Sequence, residues 1–239
     1  MESDKKERPG HRAPEGYDAS KYDRPSVATD IVIMAYRESR LEVLLIQRKN
    51  DPYKGQWALP GGFVEMDESV ETSAQREAKE ETGMSDLKLI QVGVFGSPDR
   101  DPRTRVISSA FMTLVRPYKA KARAGDDAAS VGWFPVKRPP ELAFDHKEII
   151  LKSRERLREI AVLTPRLFDL LPRKFSRDDF RQLCREVMGR RYDAGGFYES
   201  MRRNPGFIQE GTGPSGEVYY HYDQTQYQMG DFMFLLLGD

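Results

Sequence analysis

The run Trp57-Ala58-Leu59-Pro60-Gly61-Gly62-Phe63-Val64, with an acidic helical segment close behind it, constrains this chain more than any other feature. The run reads as a strand ending in a tight glycine turn, because Gly61 and Gly62 can take backbone conformations closed to other residues. Asp67 is in place to cap the helix, and Glu68 and Glu71 suit the positive end of its dipole. Val70, Ala74 and Ala78 recur every four residues and predict a narrow apolar stripe, and Gly83 can close the last turn in a left-handed conformation. A strand, a glycine turn and a one-sided helix in succession commit the chain to layers, with the helix laid on a sheet.

On that helix Glu77, Glu80 and Glu81 stand at i, i+3 and i+4, so three carboxylates share one face. Like charges at this spacing repel by roughly a few tenths of a kcal/mol per pair. A hard divalent cation, Mg2+ or Mn2+, would turn the repulsion into a site, taking carboxylate oxygens and leaving positions for substrate phosphates. The backbone at Gly62 could offer the same ion a carbonyl. An isolated E-x-x-E-E is more often an ordinary solvated face, but this one is not isolated. Gly62, Glu68, Arg76, Glu77, Glu80, Glu81 and Gly83 fit G-x5-E-x7-R-E-U-x-E-E-x-G-U, where U is apolar. Chance would produce those matches at on the order of 10⁻⁹ per start position. The segment resembles the Nudix box; Met84 fills its last apolar position, and Ala78 is smaller than the residue usual there.

The chain has 239 residues, with Lys plus Arg equal to Asp plus Glu at 38 each, so overall charge points to neither nucleic acid nor membrane. The single cysteine, Cys184, excludes an internal disulfide framework, and its spacing from Phe180, Leu183 and Val187 predicts a core residue. No charged-then-apolar leader and no membrane-length apolar run is found, which leads us to expect a soluble, cytoplasmic protein. Polar residues 1–24 predict a mobile tail. Strands are expected at Asp30–Tyr36 and Leu41–Arg48 as a hairpin, then at Leu87–Phe95, Arg105–Val115 and Val131–Phe134. A second helix is expected from Asp145, paired with Glu148 at its start, to about Val162. Strands on both sides of one helix suggest an α/β/α sandwich with a mixed sheet over residues 25–163, which the resemblance also implies. Residues 164–239 read as helix (capped by Ser176, ended by Gly189), turn, helix (Asp193 to Arg203) and hairpin (Gly206–Tyr222), the order of a small winged helix. The closing run Phe232-Met233-Phe234-Leu235-Leu236-Leu237 is too short for a bilayer and suits packing on a domain or subunit.

Outside the box, Arg100, Arg103 and Arg105 lie in a proline-punctuated loop, and their guanidinium forks suit phosphates or a base. That loop, with Lys21–Val27 and Leu142-Ala143-Phe144-Asp145-His146, resembles the Nudix branch of ADP-ribose-type pyrophosphatases and Nudix-related transcriptional regulators of NAD metabolism. Those regulators carry a C-terminal winged helix, and Leu170–Phe175 looks like its lead-in. The resemblance implies Mg2+ held by Glu77, Glu80, Glu81 and the Gly62 region. It implies hydrolysis of ADP-ribose to AMP and ribose 5-phosphate, with Glu80, Glu81 or a loop acid (Asp126 or Asp127) as base and Arg76 orienting the carboxylates. His146 reads as a helix-start residue with no local partner.

Three readings stay open: an active pyrophosphatase, a ligand sensor whose winged helix binds operator DNA as a homodimer, and an association module. Arg190, Arg191, Arg202 and Arg203 could reach DNA. Against this, the wing Gly213–Val218 has no Lys or Arg where the family has a basic residue, and residues 165–239 hold ten Lys or Arg against eleven Asp or Glu.

Overall fold

The computed structural model describes residues 16–120, 122, 128–214 and 216–226. Most of the expected tail, Asp126, Asp127 and the closing apolar run lie outside the described residues.

Strands β1 (Ser26–Arg37) and β2 (Arg40–Arg48) pair as a hairpin across Glu38 and Ser39, at φ 47° and 60°. Two left-handed residues match the twist of the flanking strands. Then come β3 (Trp57–Ala58), β4 (Gly61–Phe63), α1 (Val70–Thr82), β5 (Ile90–Phe95), β6 (Val106–Val115), β7 (Ala128–Pro135) and α2 (His146–Leu163). The sheet runs β3-β2-β1-β6-β5, with β4 also on β1 and β7 also on β2. β1 and β6 are parallel and the other pairs antiparallel, so the sheet is mixed.

Side chains alternate across β1 and divide the core. Ile31, Ile33 and Ala35 pack with Ala74 and Ala78 of α1 on one face. Val32, Met34 and Tyr36 join Ile149, Ile150 and Leu157 of α2 on the other. Covering both faces of a strand calls for a continuous apolar run, and β1 supplies one after a single buried acid, Asp30.

Three local expectations are corrected. Residues 57–64 do not form one strand. Pro60 has no N–H for a ladder, so the chain breaks there, β3 pairing with β2 and β4 with β1. Gly61, at φ 155°, runs so close to β1 that a Cβ would lie 3.0 Å from Asp30 Cα and overlap the Thr29 carbonyl. The cap of α1 is Ser69, whose Oγ accepts the Thr72 N–H at 3.1 Å, rather than Asp67. Residues 65–68 are taken up in a turn in which Glu68 Oε1 accepts the Glu65 N–H at 3.0 Å, so the helix starts later. Asp145 precedes α2 but makes no side-chain cap; its carboxylate is held by Arg100 instead.

Beyond α2 lie a 3-10 turn (Pro165–Leu170), β8 (Phe175–Ser176), α3 (Arg177–Met188), α4 (Ala194–Arg202), β9 (Phe207–Thr212) and β10 (Val218–Tyr222). Ser176 and Asp179 form a reciprocal capping box at the start of α3. β10 lies between β8 and β9, completing the winged-helix order. Phe168 stacks on Tyr222 at 4.1 Å and on Phe180 at 5.2 Å in an aromatic core. That core is continuous with the α2 face of the large sheet through Leu157, Ile160 and Ala161. Arg158 Nε donates to the Val187 carbonyl at 3.0 Å and Lys137 pairs with Glu186 at 2.8 Å across the same junction. Among the described residues, no helix is long and apolar enough to cross a membrane.

Candidate active site

Helix α1 turns its acidic face toward β4, and Arg76 is the hub between them. Its Nε and Nη2 take Glu68 bidentately at 3.1 and 2.7 Å, its Nη1 donates to Glu77 at 2.7 Å and Glu80 at 3.0 Å, and Nη2 also reaches the Phe63 carbonyl at 3.2 Å. Hydrogen bonds from Arg76 hold the Glu68 carboxyl down at about 2, and the same bonds push the Arg76 guanidinium up. Burial pushes the Glu77 carboxyl up despite Arg76. Glu81, one turn on from Glu77, is buried against the same glycine turn; its Oε2 accepts the Gly61 N–H at 2.9 Å.

The glycine turn is fitted to those acids. A Cβ on Gly62 would fall inside the Glu77 carboxylate, 2.6 Å from its Cδ. Three carboxylates, Glu68, Glu77 and Glu80, therefore gather on one guanidinium, and Glu81 joins them at the glycine turn. All their donors are hard oxygens, the set that suits Mg2+ or Mn2+. Among the described residues no three acidic, His or Cys side chains converge as a finished metal cage, and Arg76 Nη1 lies on oxygens of Glu77 and Glu80.

Beside the turn opens a pocket lined by β1, the Gly61–Phe63 strand, Arg48, Arg100, Arg103, Phe144 and His146. At its floor Asp30 Oδ2 accepts from Arg100 at 3.0 Å and from Ser108 at 2.6 Å, and its Oδ1 lies 3.2 Å from His146 Nε2. Burial pushes the Asp30 carboxyl up, but His146, Arg100 and Ser108 more than offset this and hold it at about 2. His146 Nδ1 accepts the Leu59 N–H at 2.9 Å, which puts the imidazole proton on Nε2, facing Asp30. The histidine thus ties β1 to the residue before the Pro60-Gly61 turn. Arg100 also takes Asp145 through Nε at 2.9 Å and Nη2 at 2.7 Å.

Of the three loop arginines, Arg100 is buried in the floor and Arg103 stands at the mouth, bidentate to Asp101. Arg105 does not line the pocket; it donates to the carbonyls of Ser97 and Val106. Sequence reasoning missed Asp30, Arg48 and Phe144. Asp30 carried a signal, a lone acid opening an apolar strand; Phe144 lay in the Leu142–His146 run that resembles the family but had no role assigned, and Arg48 carried no signal. On the far lobe, Arg190, Arg191, Arg202 and Arg203 are exposed. Arg202 pairs with Glu199 of α4 at 3.4 Å, and Arg177 holds the same carboxylate at 3.0 Å.

The model of the NUDIX domain matches residues 25–152. The chain is similar to an ADP-ribose pyrophosphatase of Methanocaldococcus jannaschii, 48% identical over 54% of this chain and 73% of that protein. It is also similar to the ADPR responsive transcriptional repressor NtrR of Acinetobacter baylyi, 29% identical over 81% of this chain and 78% of that one. Among solved structures, a MutT/nudix family protein from Enterococcus faecalis superposes with a TM-score of 0.72 at 31% identity, over 87% of this chain and 90% of the other. Shewanella oneidensis NrtR, complexed with a 27mer DNA, does so with a TM-score of 0.69 at 25% identity, over 84% and 94%. The acidic helix face, the glycine turn fitted to it and these likenesses agree: the chain belongs to the Nudix family.

Proposed function

We propose that residues 25–163 form a hydrolase domain that cleaves ADP-ribose to AMP and ribose 5-phosphate, using a divalent cation held by Glu77, Glu80, Glu81 and the Gly62 carbonyl. The observation that carries this is the face shared by those acids against a turn where a side chain on Gly62 would collide with Glu77. The 48% identity to an ADP-ribose pyrophosphatase supports the substrate. When bound, Mg2+ or Mn2+ neutralises the diphosphate and acidifies water.

The chain's own residues do the rest. Arg76 orients Glu77 and Glu80 and does not touch substrate. Glu81 accepts the proton of the attacking water, because it is buried against the turn that lines the pocket, whereas Glu80 is half exposed. The water oxygen bonds to one phosphorus, the bridging P–O bond breaks, and Arg100 and Arg103 set the electrostatics of the pocket that holds the substrate. Glu81→Gln should abolish divalent-ion-dependent AMP release while leaving the thermal unfolding profile intact; an unchanged rate would remove this mechanism.

A second reading, an ADP-ribose-responsive repressor acting as a homodimer with residues 164–239 as a winged helix, is favoured by one observation: the likeness to NtrR covers 81% of the chain, more than residues 25–163 span. Arg190, Arg191, Arg202 and Arg203 are its candidate DNA contacts. A gel shift on the DNA upstream of the chain's own coding region, with and without ADP-ribose, run beside the AMP-release assay, separates the readings. Turnover without a shift supports the enzyme, and a shift reversed by ADP-ribose without turnover supports the repressor.

A further inference from the structure

We propose that Arg48, Phe144 and Arg103 form a preset cradle for a phosphate group at the pocket mouth, with the Phe144 ring as the surface that aims both guanidinium groups. This rests on the nucleotide reading above for the identity of the whole ligand, but not for the chemistry of the cradle.

The backbone gives the first indication. Phe144 sits at φ 54° and Tyr53 at φ 65°, and their rings meet edge to face at 4.8 Å. Left-handed backbone at bulky residues costs about 1–3 kcal/mol each and persists where the surroundings impose it, commonly at ligand sites. Here two such residues from separate segments meet beside one pocket.

Around that ring the charges are arranged at a cost. Arg48 Cζ lies 4.8 Å from the Phe144 centroid; Arg103 Cζ lies 5.9 Å from the same centroid and 5.3 Å from that of Phe63. Arg103 is neutralised by Asp101 at 2.7 Å. Arg48 has no such partner: its Nε donates to the Pro52 carbonyl at 2.8 Å and its Nη2 to the Asn50 carbonyl at 3.4 Å, and no carboxylate among the described residues is within ion-pair distance. Burial, then the neighbouring Arg103, push the Arg48 guanidinium down, against the opposing pull of the Glu81, Asp101 and Asp51 carboxylates, none of which is in direct ion-pair contact with it. Two carbonyls and a ring face fix its plane, and among the described residues its Nη1 has no hydrogen-bond partner. An oriented fork with unspent donors matches the oxygens of phosphate. The cradle and the Gly61-Gly62 turn line the same pocket, so a phosphate here lies beside the acidic helix face rather than on it.

The test is titration calorimetry on the full chain with inorganic pyrophosphate and, separately, ADP-ribose, at two salt concentrations. Losing one charge-assisted contact predicts about 10- to 100-fold weaker pyrophosphate binding for Arg48→Gln, with a shallower salt dependence. Arg48→Lys should not restore affinity, because an ammonium keeps the charge but not the fork. Phe144→Leu, which leaves both arginines in place, should weaken binding about 3- to 10-fold through lost aim. No measurable pyrophosphate binding by the parent chain, or an Arg48→Gln affinity within twofold of it, overturns the cradle. Arg48-dependent pyrophosphate binding without ADP-ribose binding supports the cradle and sinks the ADP-ribose reading instead.

Discussion

Gly62→Ala is the sharpest test of the link between the turn and the acidic face. Gly62 is not among the residues with positive φ, so alanine is acceptable to the backbone and the added methyl acts only through what it touches. That atom would stand 2.6 Å from Glu77 Cδ. Ordinary contact begins near 3.4 Å, so the carboxylate must retreat by roughly 1 Å, a displacement that typically costs about 100-fold in turnover. Overpacking costs about 1–3 kcal/mol, and the lower end applies because the displaced group is the end of a side chain. The assay is AMP release from ADP-ribose across a Mg2+ titration, with urea unfolding run alongside. We expect kcat to drop about 100-fold while stability drops by about 1 kcal/mol. Turnover within threefold of the parent chain would refute the claim that Glu77 must occupy the space glycine leaves.

Three further outcomes are expected. Arg76→Lys should lower kcat about 10- to 100-fold in steady-state assays, since one ammonium cannot hold Glu68 bidentately and still reach Glu77 and Glu80; an unchanged kcat counts against an orienting role. Asp30 is depressed in the fold to about 2, so its contribution of about 2 kcal/mol is present above pH 4 and lost as pH falls toward 2. Asp30→Asn should therefore be less stable by about that amount in urea unfolding at pH 7, with the gap narrowing by pH 3; a gap constant with pH contradicts the linkage. Ser176→Ala should destabilise by about 1 kcal/mol in thermal unfolding, through loss of the α3 cap, and no change would mean that Asp179 suffices.

The acidic face of α1 was legible because helical periodicity alone places Glu77, Glu80 and Glu81 together, and the central strands were legible as short, nearly continuous apolar runs. Breaks were harder to see. Pro60 splits the expected strand through a missing ladder donor, and Ser69 displaces Asp67 as cap because a local turn consumes the residues between. The pocket floor was hidden for a different reason. Asp30, Arg100 and His146 come from three distant segments, and no local pattern records which acid will meet which base. Even so, an aspartate opening Asp30-Ile31-Val32-Ile33-Met34-Ala35 demands a buried partner, and that demand was readable. Arg48 at a strand end and Phe144 in a loop made no such demand. In the C-terminal lobe the hairpin was legible, but Glu199 pairing with both Arg177 and Arg202 was not.

Helix α2 begins at the pocket with His146 and passes under α3 with Leu157, Arg158 and Ile160. A rod of that kind, at about 1.5 Å per residue, reaches nearly 27 Å from end to end. Pivoting it by about 5° at the pocket would swing its far tip by more than 2 Å, about half a helical pitch. Side chains interlocked in one continuous core cannot absorb such a swing by sliding, so the distal lobe would have to turn with it.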